Sequence, residues 1–269
     1  MISRQALPIE PNLSTDLISF LSFVDKFDRW VHSSQQIVAG LPSGDPVIVS
    51  GITDAFNQLY GLYNKIGILD GEYGYHKLVL GDRVTTNLKE ADCIVISHPF
   101  SADGMSSEAL LYELDTYNKP IFVDCALFGV CNNISFDFTD MNNIHSVCFS
   151  LSKSMGTGLN RVGLLYSKDN FPAKIYKEWS YPLISQALLH NDLIERILPD
   201  HMYNKYRKKQ LEVCKQLNIT PSDTVIFGYD YSDKYKKYSR GPVNRLCISG
   251  LLNNDLMRFR NDMDGMGPT

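Results

Sequence analysis

Short apolar runs alternate with helix-like segments along most of this chain, and that alternation limits its fold more than any other feature. The runs are Val47–Val49, Ile66–Leu69, Cys93–Ser97, Ile121–Asp124, His145–Ser150 and Val162–Ser167. They are bounded by turn residues and apolar almost throughout, as strands buried on both faces are. Between them a helix is predicted from the Gly51 turn through Asn64, and another over Ser106–Asn118. Strand–helix alternation of this kind implies an α/β fold: a mostly parallel central sheet with flanking helices. An amphipathic helix is predicted over Thr15–Gln36, from apolar residues at Leu17, Phe20, Leu21, Val24, Phe27 and Trp30. From Phe171 to about Leu217 the pattern is helical and broken by Pro199. Strands near Val225–Tyr229 and Leu246–Ile248, then a helix from Asn254, complete a smaller α+β unit. The organisation that follows is an N-terminal arm and helix over 1–45, a large domain over 46–198, and a small C-terminal domain over 199–269.

Two residues stand where packing alone does not explain them. Lys153, in Ser150-Leu151-Ser152-Lys153-Ser154-Met155-Gly156, lies between an apolar strand and a glycine turn, with Arg161 eight residues on. A lysine there can act as a nucleophile toward a carbonyl, and the neighbouring serine and arginine can hold a phosphate. Asp124 closes the run Ile121-Phe122-Val123, which brings its carboxylate to the carboxyl edge of the sheet. Open α/β sheets bind their ligands at that edge. A carboxylate buried there needs a cationic partner. A Schiff-base lysine together with an aspartate facing a pyridinium is the recurring arrangement of pyridoxal phosphate sites.

In these motifs and their order, from roughly Ser50 to Leu251, the chain resembles the fold-type I pyridoxal-phosphate enzymes, the aspartate aminotransferase-like superfamily. It is an unusually short example. The resemblance makes Gly51-Ile52-Thr53-Asp54-Ala55 the phosphate-binding turn at a helix start, where N–H groups of Ile52 and Thr53 and the Thr53 hydroxyl meet the anion. It makes Tyr73 the aromatic residue stacked on the cofactor ring, with His76 as the alternative. Asp124 becomes the partner of the ring nitrogen, Lys153 the internal aldimine lysine, and Ser150 and Arg161 the remaining phosphate ligands. Arg245, in Asn244-Arg245-Leu246-Cys247-Ile248, is similar to the arginine that grips the substrate α-carboxylate. Where the family has an asparagine facing the cofactor's 3-hydroxyl, this chain has His98-Pro99-Phe100-Ser101, which gives that role to Ser101 or His98. A tyrosine that often follows the ring aspartate by three positions is Leu127 here.

The resemblance implies transamination of an amino acid: Arg245 clamps the carboxylate, Asp124 keeps the ring nitrogen protonated, and Lys153 moves the proton between Cα and C4′. The alternatives it leaves open are a lyase (β- or γ-elimination or replacement) and a protein that binds the cofactor without catalysis. It also implies a homodimer. The apolar N-terminal helix, with no evident partner in so short a chain, points the same way, and residues around Gln186–Asn191 are candidates for the neighbour's contribution.

Other features set outer bounds. A formal net charge of −4 argues against nucleic acid. The first residues lack the apolar core of a signal peptide, and no apolar run approaches the ~20 residues of a membrane-spanning helix. Six cysteines without a C-x-x-C pair read as reduced thiols, with Cys93, Cys148 and Cys247 as small core residues, in keeping with the cytoplasm and with no metal site. The segment Tyr229–Tyr238, rich in tyrosine and lysine, reads as a solvated loop or substrate-side flap, Lys205–Lys209 as the wet face of a helix, and His145 as a strand-start residue.

Overall fold

The structure, a computed structural model, describes residues 13–168 and 181–252. The first half contains α1 (Leu13–His32), β1 (Val38–Ala39), β2 (Val47–Val49), α2 (Ile52–Leu62), β3 (Ile66–Ile68), α3 (Tyr75–Leu80) and β4 (Val84–Thr85). Then come β5 (Cys93–Ser97), α4 (Glu108–Asp115), β6 (Ile121–Cys125), β7 (Phe136–Asp137), β8 (Ile144–Ser150), α5 (Leu151–Ser154) and β9 (Gly163–Ser167). The remainder is α6 (Tyr181–Arg196), α7 (His201–Leu217), β10 (Thr220–Pro221), β11 (Phe227–Asp230), β12 (Ser239–Arg240), β13 (Val243–Cys247) and α8 (Ser249–Leu252).

All six predicted strands are present, each within about a residue of the expected bounds. They join β4 in one seven-stranded sheet of order β2-β9-β8-β6-β5-β3-β4. Every pair is parallel except those of β9, which runs against both β2 and β8. The central strands β5, β6 and all but one residue of β8 are fully buried, which is why they read as continuous apolar runs and not as alternating ones. One face of the sheet packs with Phe23, Phe27 and Trp30 of α1, while Ala55, Phe56 and Leu59 of α2 cover the other. Arg83 satisfies the far end of α2: its guanidinium donates to the carbonyls of Tyr60, Tyr63 and Asn64, which have no acceptor role left inside the helix.

The N-terminal helix departs from its expected role. It starts at Leu13 and buries Phe23, Phe27, Trp30 and Val31, and its partner lies within this chain. Trp30 meets the Phe128 ring edge-on at 5.9 Å and donates its indole N–H to the carbonyl of Ile197. Lys26 reaches Asn191 and Glu195 on α6, and Tyr166 donates to Asp28. The helix is therefore no argument for a second subunit. Gln186–Asn191, read as a candidate contribution from the neighbour, lies inside α6, where Asn191 meets Lys26.

A second, four-stranded antiparallel sheet of order β10-β11-β13-β12 follows α7. Its two principal strands lie one to three residues from their expected positions, because the turn at Ser222–Ile226 takes Val225 and Ile226 out of the ladder. Val213, Cys214, Leu246, Ile248 and Leu251 form a separate small core between this sheet and the helices α7 and α8. Tyr235 belongs to that core and donates to the carbonyl of Leu217, so the segment read as a solvated loop is anchored at its middle. Lys205 and Lys208 are exposed as expected, whereas Arg207 is tied to Gln210 and the Ser222 carbonyl. His145 sits near the start of β8. The helix expected from Asn254, and the part of the helical stretch over 169–180, lie outside the described residues.

Candidate active site

The register of the sheet assembles the site. Val49 of β2 and Ser150 of β8 both pair with Gly163 of β9, so the turn at Gly51 and the start of α5 come to one edge. Asp124 lies opposite Ser97 on one side and Cys148 on the other, at the same carboxyl edge. Residues far apart in sequence meet there because parallel strands deliver all their carboxyl ends to one side.

Gly51 has φ 77°, a left-handed value that suits glycine, and a Cβ at this position would lie 2.9 Å from the Arg161 side chain. No side chain caps α2; Asp54 N–H donates to the Gly51 carbonyl at 3.1 Å and its carboxylate turns back to accept from Ser50 N–H, which leaves the N–H groups of Ile52 and Thr53 at the helix start for an anion. Arg161 donates to the Thr53 hydroxyl at 2.8 Å. Gly51, Thr53 and Arg161 thus form one cluster, with Ile52 buried in the core behind it. Ser150 caps α5 by accepting from Ser152 N–H, and the Ser150 and Ser152 hydroxyls lie 3.2 Å apart. Helix N-terminus, hydroxyls and guanidinium together make a donor set suited to a phosphate.

Asp124 is buried and, among the described residues, its carboxylate accepts one hydrogen bond, from Ala126 N–H at 2.8 Å. Burial raises its pKa to about 7, the Ala126 bond and nearby Lys153 pull it down, and a second buried carboxylate, Glu72, adds to the rise. Glu72 was missed by the sequence reading. It follows β3 and accepts from Ser97 N–H, the Ser97 hydroxyl and Tyr73 N–H. Burial raises its pKa too, against those bonds and the charge of Arg240. The signal was available: like Asp124, Glu72 is an acidic residue just past the carboxyl end of an apolar strand.

Tyr73 is partly exposed, and its ring stacks on Tyr75 at 5.9 Å. His76, the alternative to it, is fully buried. Its Nδ1 meets the Tyr60 hydroxyl at 2.7 Å, and burial lowers its pKa to about 4. A ring so enclosed leaves no face for a ligand, and of the two Tyr73 is the accessible one. Above Tyr73 lies the Arg240 guanidinium, 6.0 Å from the ring centroid, which donates to the Gly71 and Glu72 carbonyls. Gly241 allows that approach, since a Cβ there would lie 2.7 Å from the Gly71 backbone.

Of the pair His98 and Ser101, His98 is locked in the core. Its two ring nitrogens meet the Ser107 hydroxyl and the Ser135 carbonyl, at 2.8 and 2.7 Å. Ser101 is buried and its carbonyl accepts from Arg245 Nη1. Arg245 lies on β13 with its guanidinium 4.2 Å from the Phe227 ring centroid, and burial lowers its pKa to about 10. Only one of its five N–H donors is engaged among the described residues, which leaves donors for a carboxylate. Lys153 is exposed and shares with Arg245 a cleft of about 360 Å³ between α5 and the second sheet. Cys247, expected in the core, is exposed in that cleft, because strand alternation puts it on the face of Arg245 and turns Leu246 inward. Leu127 packs with Val130, Tyr203 and Phe227 in place of a phenol.

No protein-family model matches the chain, and no curated protein matches it. Solved structures do. An aminotransferase from Staphylococcus aureus aligns over 95% of this chain and 92% of its own, with TM-score 0.61 and 12% identity. L-threonine-O-3-phosphate decarboxylase from Porphyromonas gingivalis aligns over 93% and 95%, with TM-score 0.59 and 13% identity. The PLP-bound C-S lyase from Staphylococcus hominis aligns over 88% and 82%, with TM-score 0.59 and 12% identity.

The chain has the fold of the fold-type I pyridoxal-phosphate enzymes. The three are named as an aminotransferase, a decarboxylase and a C-S lyase, so the shared fold does not choose a reaction. Among the described residues no group of acidic, histidine or cysteine side chains is suited to a metal ion, and no helix is long and apolar enough to cross a membrane.

Proposed function

We propose that this chain is a pyridoxal-phosphate enzyme that breaks the Cα–H bond of an amino acid, as an aminotransferase does. The observation that carries the reading is Asp124: a buried carboxylate with one hydrogen bond, at the sheet edge that also presents Lys153 and the uncapped start of α2. The donor set fits the cofactor at both ends. Gly51, Ile52, Thr53, Ser150 and Arg161 would hold its phosphate, Asp124 its ring nitrogen, Tyr73 its face, and Ser101 its 3-hydroxyl edge. Bound there, pyridoxal phosphate supplies a protonated ring that accepts the electron pair left at Cα.

The chain's own residues do the rest. Asp124 would hold a proton on the ring nitrogen. Lys153 would anchor the group through its amine, and that amine, when free, would serve as the base for the substrate's Cα proton. Arg245 holds the α-carboxylate, so that Cα–H is the bond presented for cleavage. Leu127 offers no phenol to the 3-hydroxyl side.

The purified protein is expected to be yellow, and borohydride reduction followed by mass mapping should place a pyridoxyl phosphate adduct on Lys153. An adduct on another lysine, or none in cofactor-saturated protein, overturns the assignment. Conversion of the bound cofactor to its amine form by an amino acid supports transamination, whereas release of ammonia and a keto acid in one turnover supports a lyase. We also propose a homodimer, on the resemblance alone. Light scattering that shows a fully active monomer overturns it.

A further inference from the structure

The cleft that Lys153 and Arg245 share has apolar side chains along most of its wall, with Ser152, Cys247 and Ser249 as uncharged polar members of the lining. Met202 and Tyr206 stand one turn apart on α7, Ile226 and Phe227 line the head of β11, and Leu252 closes the α8 side. Among the described residues that line it there is no aspartate or glutamate, and its only charged groups are the two cations. Arg240 does not line the cleft; its charge acts on Arg245 and is balanced by the buried carboxylate of Glu72. If Lys153 is committed to the cofactor, one cation remains for substrate. A second anionic group would then lose its water against Met202, Ile226 and Leu252 without a partner, which disfavours an ionised group there. A volume of about 360 Å³ is near the lower end of the ~300–1,000 Å³ of small-molecule sites, a size for one free amino acid.

We propose that the substrate is a free α-amino acid with an uncharged apolar side chain, its carboxylate on Arg245 and its side chain against Met202, Tyr206, Ile226 and Leu252. This deepens the function proposed above and rests on it for the fate of the amine, while the recognition of carboxylate and side chain stands on the cleft itself. Charge complementarity selects the carboxylate, and the apolar walls select the body. Met202 and Tyr206 are then specificity residues, set side by side by the four-residue spacing of the helix.

The test uses carboxylates that lack an amine, so that binding is read without turnover. Calorimetric titration of 4-methylpentanoate, 3-phenylpropanoate and glutarate into the protein as purified should show the two apolar acids binding at least about tenfold tighter than glutarate. Arg245→Ala should abolish that binding. Met202→Arg, which sets a guanidinium in the wall, should narrow or reverse the ratio, and the wild-type ranking decides the matter if this variant does not fold. Glutarate binding as tightly as the apolar acids, or binding indifferent to Arg245→Ala, overturns the proposal. The two readings separate cleanly. A yellow protein with the opposite ranking sinks the substrate class and leaves the function standing. A protein that takes up no pyridoxal phosphate yet keeps the ranking sinks the function and supports the cleft assignment.

Discussion

Asp124→Ala is expected to retain part of its pyridoxal phosphate and to lose about a hundredfold to a few thousandfold in turnover. Removing one partner of a buried ion pair costs about 3–5 kcal/mol, and about 1.4 kcal/mol is a decade of rate. The phosphate donors around Gly51, Thr53 and Arg161 are far enough along the sheet edge to hold the group without Asp124, so binding should suffer less than catalysis. The same residue makes a prediction about stability. In the cofactor-free protein its pKa is raised from 3.8 to about 7. Between those values the folded state binds more protons than the unfolded chain, so stability falls as pH rises through that window. The contribution is fully present below about pH 4 and lost above about pH 7, on the order of a few kcal/mol. Glu72, also raised by burial, acts in the same direction. His76 and His98, whose pKa burial lowers from 6.5 to about 4, act in the opposite sense between those values. Denaturant unfolding of the cofactor-free protein at pH 5 and pH 8 therefore reads Asp124 as a difference: relative to wild type, Asp124→Ala should gain stability at pH 8 compared with pH 5. Turnover and a pH–stability profile both like wild type would make Asp124 a structural residue.

Arg245→Ala is expected to lower kcat/KM for amino acids by about tenfold to a few hundredfold while cofactor binding changes little. Hydrogen bonds to charged groups contribute about 1.5–3 kcal/mol, and a bidentate pair more, which at about 1.4 kcal/mol per decade gives that range. The structure explains why lysine should be a poor replacement. The Arg245 guanidinium lies against the Phe227 ring and donates by one N–H to the Ser101 carbonyl, which fixes its plane and leaves its other donors for the substrate. A lysine ammonium can neither lie flat on the ring nor offer a fork. Arg245→Lys should therefore recover little, and amines without a carboxylate should hardly respond to either change. Amino-acid turnover that survives Arg245→Ala would remove the carboxylate clamp, and the substrate would then be recognised by other groups.

The positions of the strands were legible because burial on both faces leaves a run of apolar residues with no gaps, as in Cys93–Ser97 and Ile121–Asp124. Lys153 and Asp124 stood out for the complementary reason: each is a charged residue where an apolar strand ends, and for Asp124, which is buried, an unpaired charge is too costly to be incidental. The sequence reading took Cys247 for a core residue, since a five-residue strand with mixed burial does not announce which face is inward. It left the N-terminal helix without a partner, because α6 lies more than a hundred residues away in sequence.

Glu72 shows the same limit from the other side. Its acidity was visible, but its hydrogen bonds to Ser97 and its effect on Asp124 depend on β3 and β6 both flanking β5 in the sheet. His76 and His98 were plausible ligands by residue type. Only the packing of Phe56 and Tyr60 around one, and of Phe136 and Ser107 around the other, withdraws them from the site. The sequence alone determined which segments become strands and which charged residues end them, since burial and chain periodicity are local properties. The tertiary structure alone decided which of those ends converge, which rings stay accessible, and that Lys153 and Arg245 share one apolar-walled cleft, because sheet register and the placement of a second sheet are set by contacts between distant residues.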